Sequence, residues 1–378
     1  MVLFVAAAAA LVWANADGSS YASTWGSELT LGFGDAAISM DLRHWVSDGL
    51  MTLFFFVVGL EIKREVVDGE LRDVRTAAVP LFAAIGGMAI PALLFFALNA
   101  GGDGARGWGI PMATDIAFAI GLLALLGPRV PTGAKVFLLT LAIVDDIGAI
   151  LVIALFYSPH LDATWLGGAV GVVGAILVFR RAGVSTPWAY LIPGVALWVC
   201  THESGVHATL AGVVLGLLTP AAPGRARGPL ERVEQVVHPV SSFLVVPLFA
   251  LASAGVALNG ATFDRIVTST VSGGVALGLL VGKPVGIVGA TLLALRSRRA
   301  RLPTGMRLGH VVGVGLAAGI GFTVSLFLAN LSFNGARLEE AKIAILLASL
   351  AAGATGSIAF FAVRPHAGKD DRRERGAP

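Results

Sequence analysis

Long apolar runs separated by short polar gaps dominate the chain. A helix needs about 20 mostly apolar residues to cross the ~30 Å hydrocarbon core of a bilayer. Eleven stretches meet or approach that length: residues 44–60, 76–99, 108–126, 135–156, 165–179, 187–200, 204–218, 236–256, 271–295, 311–331 and 341–363. A twelfth, Val2–Trp13, rises only about 20 Å at 1.5 Å per residue. It ends in Ala14-Asn15-Ala16, the form of a signal-peptidase site, but no basic stretch precedes it. It is read as a clipped first spanning helix. The pattern predicts an all-α polytopic membrane protein of about 12 spans. Residues 1–363 form a single transmembrane domain, and the tail 364–378, rich in Arg, Asp and Lys, reads as a disordered cytoplasmic end.

Composition removes the competing classes. Charged residues are 13% of the chain, about half the ~25% of a typical globular protein, and the mean hydropathy is +0.82. A disordered chain needs low hydrophobicity. A disulfide scaffold needs more than Cys200, the single cysteine. The basic pI, near 9.3, does not imply nucleic acid, because the basic residues fall in the gaps between apolar runs. Their distribution instead sets an orientation. With an inside N-terminus and twelve spans, the inside segments hold 21 of the 27 Lys and Arg residues. The outside segments hold Arg43, Arg106, Arg265, Arg337 and Lys342. Both termini are therefore expected in the cytoplasm.

The remaining basic residue, Lys283, falls in the middle of the tenth span, in Leu279-Leu280-Val281-Gly282-Lys283-Pro284. Three acids are also at membrane depth: Asp115 in the fourth span, and Asp145 and Asp146 at the centre of the fifth. On insertion scales each costs about 2.5–3.5 kcal/mol. A structural ion pair could account for Lys283 and one aspartate, but two carboxylates would remain. Adjacent residues on a helix point about 100° apart. One of Asp145 and Asp146 can thus face a cavity while the other meets a neighbouring helix. Two nearby carboxylates resist ionising together and tend to hold a proton. A hard cation such as sodium wants oxygen ligands, which carboxylates, a Thr hydroxyl or freed carbonyls supply. Cation and proton then compete for the same oxygens, and with access alternating between sides that competition is an exchanger.

Two spans carry breaks. Gly107, Gly109 and Pro111 interrupt the fourth just before Thr114-Asp115. Gly313, Gly315, Gly319 and Gly321 interrupt the eleventh just before Phe322-Thr323-Val324-Ser325. Each break falls in the middle member of a triplet, spans 3–5 and 10–12, and the triplets enter the membrane from opposite sides. Interrupted helices in matching positions of inverted repeats point to a transporter's binding site. Glycines also permit close helix packing. That alternative suffices for the eleventh span alone, less so for the fourth, where the break adjoins an acid and a hydroxyl.

These residues resemble the NhaA family of sodium/proton antiporters. The matching strings run in order from Phe55-Phe56-Val57-Val58-Gly59-Leu60-Glu61-Ile62-Lys63-Arg64-Glu65 through Ala113-Thr114-Asp115-Ile116-Ala117-Phe118-Ala119 and Val144-Asp145-Asp146. They continue with Ser204-Gly205-Val206-His207-Ala208-Thr209-Leu210-Ala211-Gly212, Gly282-Lys283-Pro284 and Gly319-Ile320-Gly321-Phe322-Thr323. The resemblance implies that Asp145 and Asp146 bind the sodium ion and the proton, and that Lys283 pairs with Asp145. It implies that Thr114 and Asp115 sit where the two broken helices cross, balancing half-helix dipole ends. It implies electrogenic exchange in a bacterial inner membrane, with external protons entering and sodium or lithium leaving, and no cofactor. It also implies a pH-sensing cluster at the cytoplasmic mouth, matched by Glu61, Arg64, Glu65, Arg232, Glu234 and His238, with His207 in the family's histidine motif. The chain departs from the pattern at Glu231, where a base is common, and at Gln235, where a histidine can stand. Finally, Leu29–Met40 alternates weakly around the turn signal Gly32-Phe33-Gly34-Asp35. The resemblance implies an external β-hairpin there that pairs in a homodimer.

Two other functions fit the sequence less well. Gly32-Phe33-Gly34-Asp35 has the form of a membrane aspartyl protease motif, but in an external loop. His202 and His207 are five residues apart, about 140° around a helix, whereas a zinc helix needs a spacing of four. A sodium-coupled symporter for an organic solute needs a solute pocket, and the chain has few polar side chains at midplane beyond the carboxylates.

Overall fold

The structure, a computed structural model, describes residues 2–32, 37–72, 74–158, 161–184, 186–221, 228–258, 260–296 and 301–363. The expected tail lies outside the described residues, as does most of the hairpin turn, Phe33-Gly34-Asp35.

The chain opens with α1 (Val2–Ala16) and α2 (Gly18–Trp25), bent 118° from one another. Asn15 ties the end of α1 to the carbonyl of Val256 at 2.9 Å and the amide of Leu258 at 2.7 Å. Strands β1 (Glu28–Leu31) and β2 (Ile38–Asp41) follow, antiparallel, with Leu29 opposite Met40. The hairpin expected over Leu29–Met40 is therefore present. Then come α3 (Leu42–Val67) and α4 (Val74–Asn99). A 3-10 segment (Asp103–Met112) and α5 (Ile116–Leu125) meet at 40°. They are followed by α6 (Thr132–Phe156), α7 (Ala163–Arg181), α8 (Leu191–Glu203), α9 (Thr209–Leu218) and α10 (Pro229–Ser253). The chain closes with α11 (Gly260–Thr268), α12 (Thr270–Arg296), α13 (Leu308–Ala318), α14 (Phe322–Ser332) and α15 (Gly335–Ala362); α13 and α14 meet at 44°.

Among the described residues seven helices are long and apolar enough to cross a membrane, and up to ten if each bent pair is one span. The breaks expected in the fourth and eleventh spans are both found. The stretches 187–200 and 204–218 are shorter in the structure, the first opening with a 3-10 turn, Pro187–Tyr190, that runs directly into its helix. They form helices of 13 and 10 residues, about 20 and 15 Å long against a ~30 Å core.

Two glycine contacts set the frame. A Cβ added to Gly286 of α12 would stand 2.1 Å from the Gly86 carbonyl of α4. One added to Gly212 of α9 would stand 2.1 Å from the Thr52 carbonyl of α3. Only glycine permits such backbone approach, the usual device where helices pack without a hydrophobic driving force. The first contact lies one turn from Lys283 and fixes its depth. The second lies along the helix that carries Glu61. α6, which carries Asp145 and Asp146, is the most enclosed of the long helices, with 67% of its apolar window buried.

Candidate functional site

The two broken helices leave irregular backbone at Ala113–Asp115 and Gly319–Gly321. Backbone freed from helical pairing must find partners inside the protein. The Asp115 amide donates to the Ile320 carbonyl at 2.7 Å, joining one break to the other. Thr114 Oγ1 lies 3.1 Å from the Ala318 carbonyl, at the end of α13, and 2.7 Å from Asp145 Oδ2. Both neighbours are acceptors, so they share its single proton.

Asp115 serves two helices. Its Oδ1 accepts from the Phe118 amide at 3.1 Å, capping α5. Its Oδ2 accepts from the Thr323 amide at 3.1 Å and the Thr323 hydroxyl at 2.6 Å, at the start of α14. Two positive helix ends thus converge on one carboxylate. The opposite end of the 3-10 segment is met by a cation: Lys283 Nζ donates to the Met112 carbonyl. The same ammonium lies 2.9 Å from Asp145 Oδ2, with both side chains fully enclosed. The pairing of Lys283 with Asp145, and the position of Thr114 and Asp115 at the crossing, agree with what the resemblance implied.

Asp145 and Asp146 divide as their 100° separation requires. Asp145 turns to Lys283 and Thr114, and its Oδ1 is buried with no hydrogen-bond partner. Asp146 lines a cavity of about 240 Å³ with Glu61, Thr114, Asp115, His238 and Ser241. Among the described residues nothing hydrogen-bonds Asp146, and no group of three or more His, Cys, Asp or Glu has the arrangement of a transition-metal site. The cavity lining instead offers oxygen donors, three of them carboxylates: Glu61, Asp115 and Asp146.

Glu61 and His238 stand 4.0 Å apart on α3 and α10. One turn further along, Arg64 pairs with Glu234. These four join α3 to α10 beside the cavity. Glu65 is buried on the same helix, folded back beside Gly69. Arg232 is not brought to them. It lines a separate apolar basin of about 610 Å³ with Trp45, Trp188 and Trp198, because two residues along a helix turn a side chain about 200° from Glu234. His207 stands apart as well. Its Nε2 lies 3.9 Å from Asp48 Oδ1 and its ring edge meets Phe327. Asp48 is thirteen residues from Glu61 on α3, about 20 Å along the axis.

The sequence marks Thr323 and Ser325 only as residues that follow the second break, with no sign of their partners, and gives no sign of Asp48. Thr323 follows the second break as Thr114–Asp115 follow the first, and that symmetry was a usable signal. Ser325 donates to the Ile110 carbonyl at 2.8 Å, a contact to backbone that no side-chain motif reveals.

Helices interrupted around buried charge, in a chain made mostly of membrane-length apolar helices, define a multi-pass membrane protein of the secondary-transporter class. A family described as Na+/H+ antiporter 1 matches residues 1–360. The chain is 46% identical to Na(+)/H(+) antiporter NhaA 3 of Frankia alni, over 95% of this chain and 85% of that protein. It is 44% identical to Na(+)/H(+) antiporter NhaA of Escherichia coli O139:H28, over 94% and 93%. It is 48% identical to Na(+)/H(+) antiporter NhaA 2 of Flavobacterium johnsoniae, over 87% and 81%. The chain belongs to the Na+/H+ antiporter 1 family.

Proposed function

We propose that the protein is a secondary transporter, not an enzyme, that exchanges sodium or lithium for protons across a bacterial inner membrane. The observation that carries this is the division of labour between adjacent carboxylates. Asp146 faces a cavity, while Asp145 is held by Lys283 Nζ at 2.9 Å and Thr114 Oγ1 at 2.7 Å. A cation entering the cavity meets Asp146, with Asp145 the next residue on α6 and its Oδ1 buried without a hydrogen-bond partner. Both are hard oxygen donors suited to sodium, and both bind protons instead when the cation leaves. Lys283 releases Asp145 when its own proton departs, so the lysine and the aspartates titrate as one unit. Such a unit carries more than one proton per monovalent cation, which makes the exchange electrogenic.

The supporting residues at the crossing are Thr114, Asp115 and Lys283. The pH-sensing group is Glu61, Arg64, Glu234 and His238, whose ion pairs span α3 and α10. Spans 3–5 and 10–12 form inverted repeats within one domain over residues 1–363, with both termini cytoplasmic, in keeping with the charge bias and the two matched breaks. A homodimer forms through Leu29–Met40, whose strands expose Leu29 and Leu31.

The test is a pH-dye assay in everted vesicles. Sodium added without any organic solute should dequench the dye. A signal that needs an organic solute would make the protein a symporter, and no signal with sodium or lithium at any pH would overturn the proposal.

A further inference from the structure

The 3-10 segment Asp103–Met112 carries the Met112 carbonyl to Lys283 and delivers Thr114 to Asp145. Such segments have poorer hydrogen-bond geometry than α-helices and are used in short pieces. At ten residues this one is long, so its position depends on cross-links. At its inner end Lys283 holds Met112. Two residues before that end, Ser325 of α14 holds the Ile110 carbonyl. At its outer end Tyr157, the residue that ends α6, donates its hydroxyl to the Arg106 carbonyl at 2.6 Å. The same oxygen lies 3.0 Å from Ser332 Oγ at the end of α14, and Ser332 in turn reaches the Leu328 carbonyl. Trp108 and Phe156 meet edge to face at 5.1 Å beside this junction. Tyr157 therefore joins one end of α6, which carries Asp145 and Asp146 at its centre, to the 3-10 segment that leads into Thr114 and Asp115 and to the far end of α14, which begins beside Thr323. From Asp146 to Tyr157 is eleven residues, about 16 Å along α6.

We propose that Tyr157 is a positioning residue for ion binding: its hydroxyl sets the register of the 3-10 segment on α6, and so holds Thr114 and the Met112 carbonyl against Asp145 and Lys283. It touches neither the ion nor the carboxylates. The argument is geometric. α6 is one continuous, enclosed helix, while the segment beside it ends in irregular backbone, and a shift of the segment along α6 moves the Thr114 hydroxyl away from Asp145. Displacements of about 1 Å at a binding constellation have large effects.

The test compares Tyr157→Phe and Ser332→Ala with unmodified protein in everted vesicles, reading KM for sodium, maximal rate and melting temperature. Tyr157→Phe keeps the ring and its packing and removes only the hydroxyl. It should raise KM for sodium about tenfold, the effect of one lost hydrogen bond, with maximal rate within about twofold. Ser332→Ala leaves the bond to Arg106 in place and should keep KM within about twofold. A Tyr157→Phe protein with lower melting temperature but native KM would make the bond merely structural and overturn the proposal. An equal rise in KM from Ser332→Ala would overturn the assignment to the 3-10 segment. The proposal rests on Asp145 and Asp146 being the ion site, and Asp146→Asn is run alongside. If that variant exchanges sodium as the unmodified protein does, both readings fall. If it is inactive while Tyr157→Phe has a native KM, the positioning role alone falls.

Discussion

The crossing and the cavity mouth both contain acid–base pairs, but they solve different problems. At the crossing, Lys283 and Asp145 are enclosed to 0% side-chain exposure and meet at 2.9 Å. At the mouth, Arg64 and His238 keep 39% and 51% of their side-chain surface in contact with the surroundings, and His238 stands 4.0 Å from Glu61. An enclosed pair is expensive to break because the orphaned charge has no water to turn to. A half-exposed pair contributes about 0–1 kcal/mol and is screened by salt. The crossing is therefore suited to holding an ion against a proton. The mouth is suited to a small bias that pH can move.

That contrast is broken most directly at Asp146. Asp146→Asn keeps the shape, so insertion and folding should be near native, but an amide releases no proton and offers the cation no charge. Exchange should be lost in the vesicle assay at every pH. Native-rate sodium exchange by this variant would remove Asp146 from the ion site.

Next in size is Lys283→Ala. Removing one partner of a buried pair costs about 3–5 kcal/mol, so the melting temperature should fall by several degrees and exchange should weaken. Lys283→Arg keeps the charge and should lose less. An unchanged melting temperature in the alanine variant would mean that Asp145 does not depend on this lysine.

At the mouth the same operation should behave differently. Arg64→Ala breaks a pair with Glu234 that is only part-buried. The expected cost is about 1 kcal/mol or less, with maximal exchange within about twofold and a displaced pH profile. A loss of stability as large as that of Lys283→Ala would mean that the mouth is built like the crossing, and the contrast would fail.

The parts of this arrangement legible in the sequence are those fixed by periodicity and cost. Four ionisable groups in apolar runs announce themselves, the 100° between Asp145 and Asp146 predicts their separate surroundings, and glycine clusters mark both breaks. What stayed hidden is carried by backbone and by helix rotation. The Met112 carbonyl, which receives Lys283, has no side-chain signature. The double cap by Asp115 needs two helix ends from distant parts of the chain. Arg232 lies next to mouth residues in sequence, yet its rotation on α10 turns it to the apolar basin. Where α8 and α9 begin and end was likewise hidden, because apolar composition counts residues without seeing where a helix stops.

The smallest expected effect concerns Glu231, at a position where the family resemblance implies a base. Glu231 lies in the first turn of α10, and its Oε2 is buried with no hydrogen-bond partner. Residues three and seven positions on share its helix face, and these are Glu234 and His238, members of the mouth group. On the proposed sensing role, an acid there adds negative charge beside the mouth group, and negative charge in general opposes the loss of nearby protons. Activation should therefore need a more alkaline pH than in a relative with a base at this position. Glu231→Lys reverses the local charge and should move the activity profile toward acid without lowering maximal exchange. It also places a cation at a helix N-terminus, which costs about 0.3–1 kcal/mol, so melting temperature is measured in parallel. Because the effect acts through space near water, the displacement should shrink as ionic strength rises. Overlapping pH profiles at low salt would show that Glu231 has no part in the proposed switch.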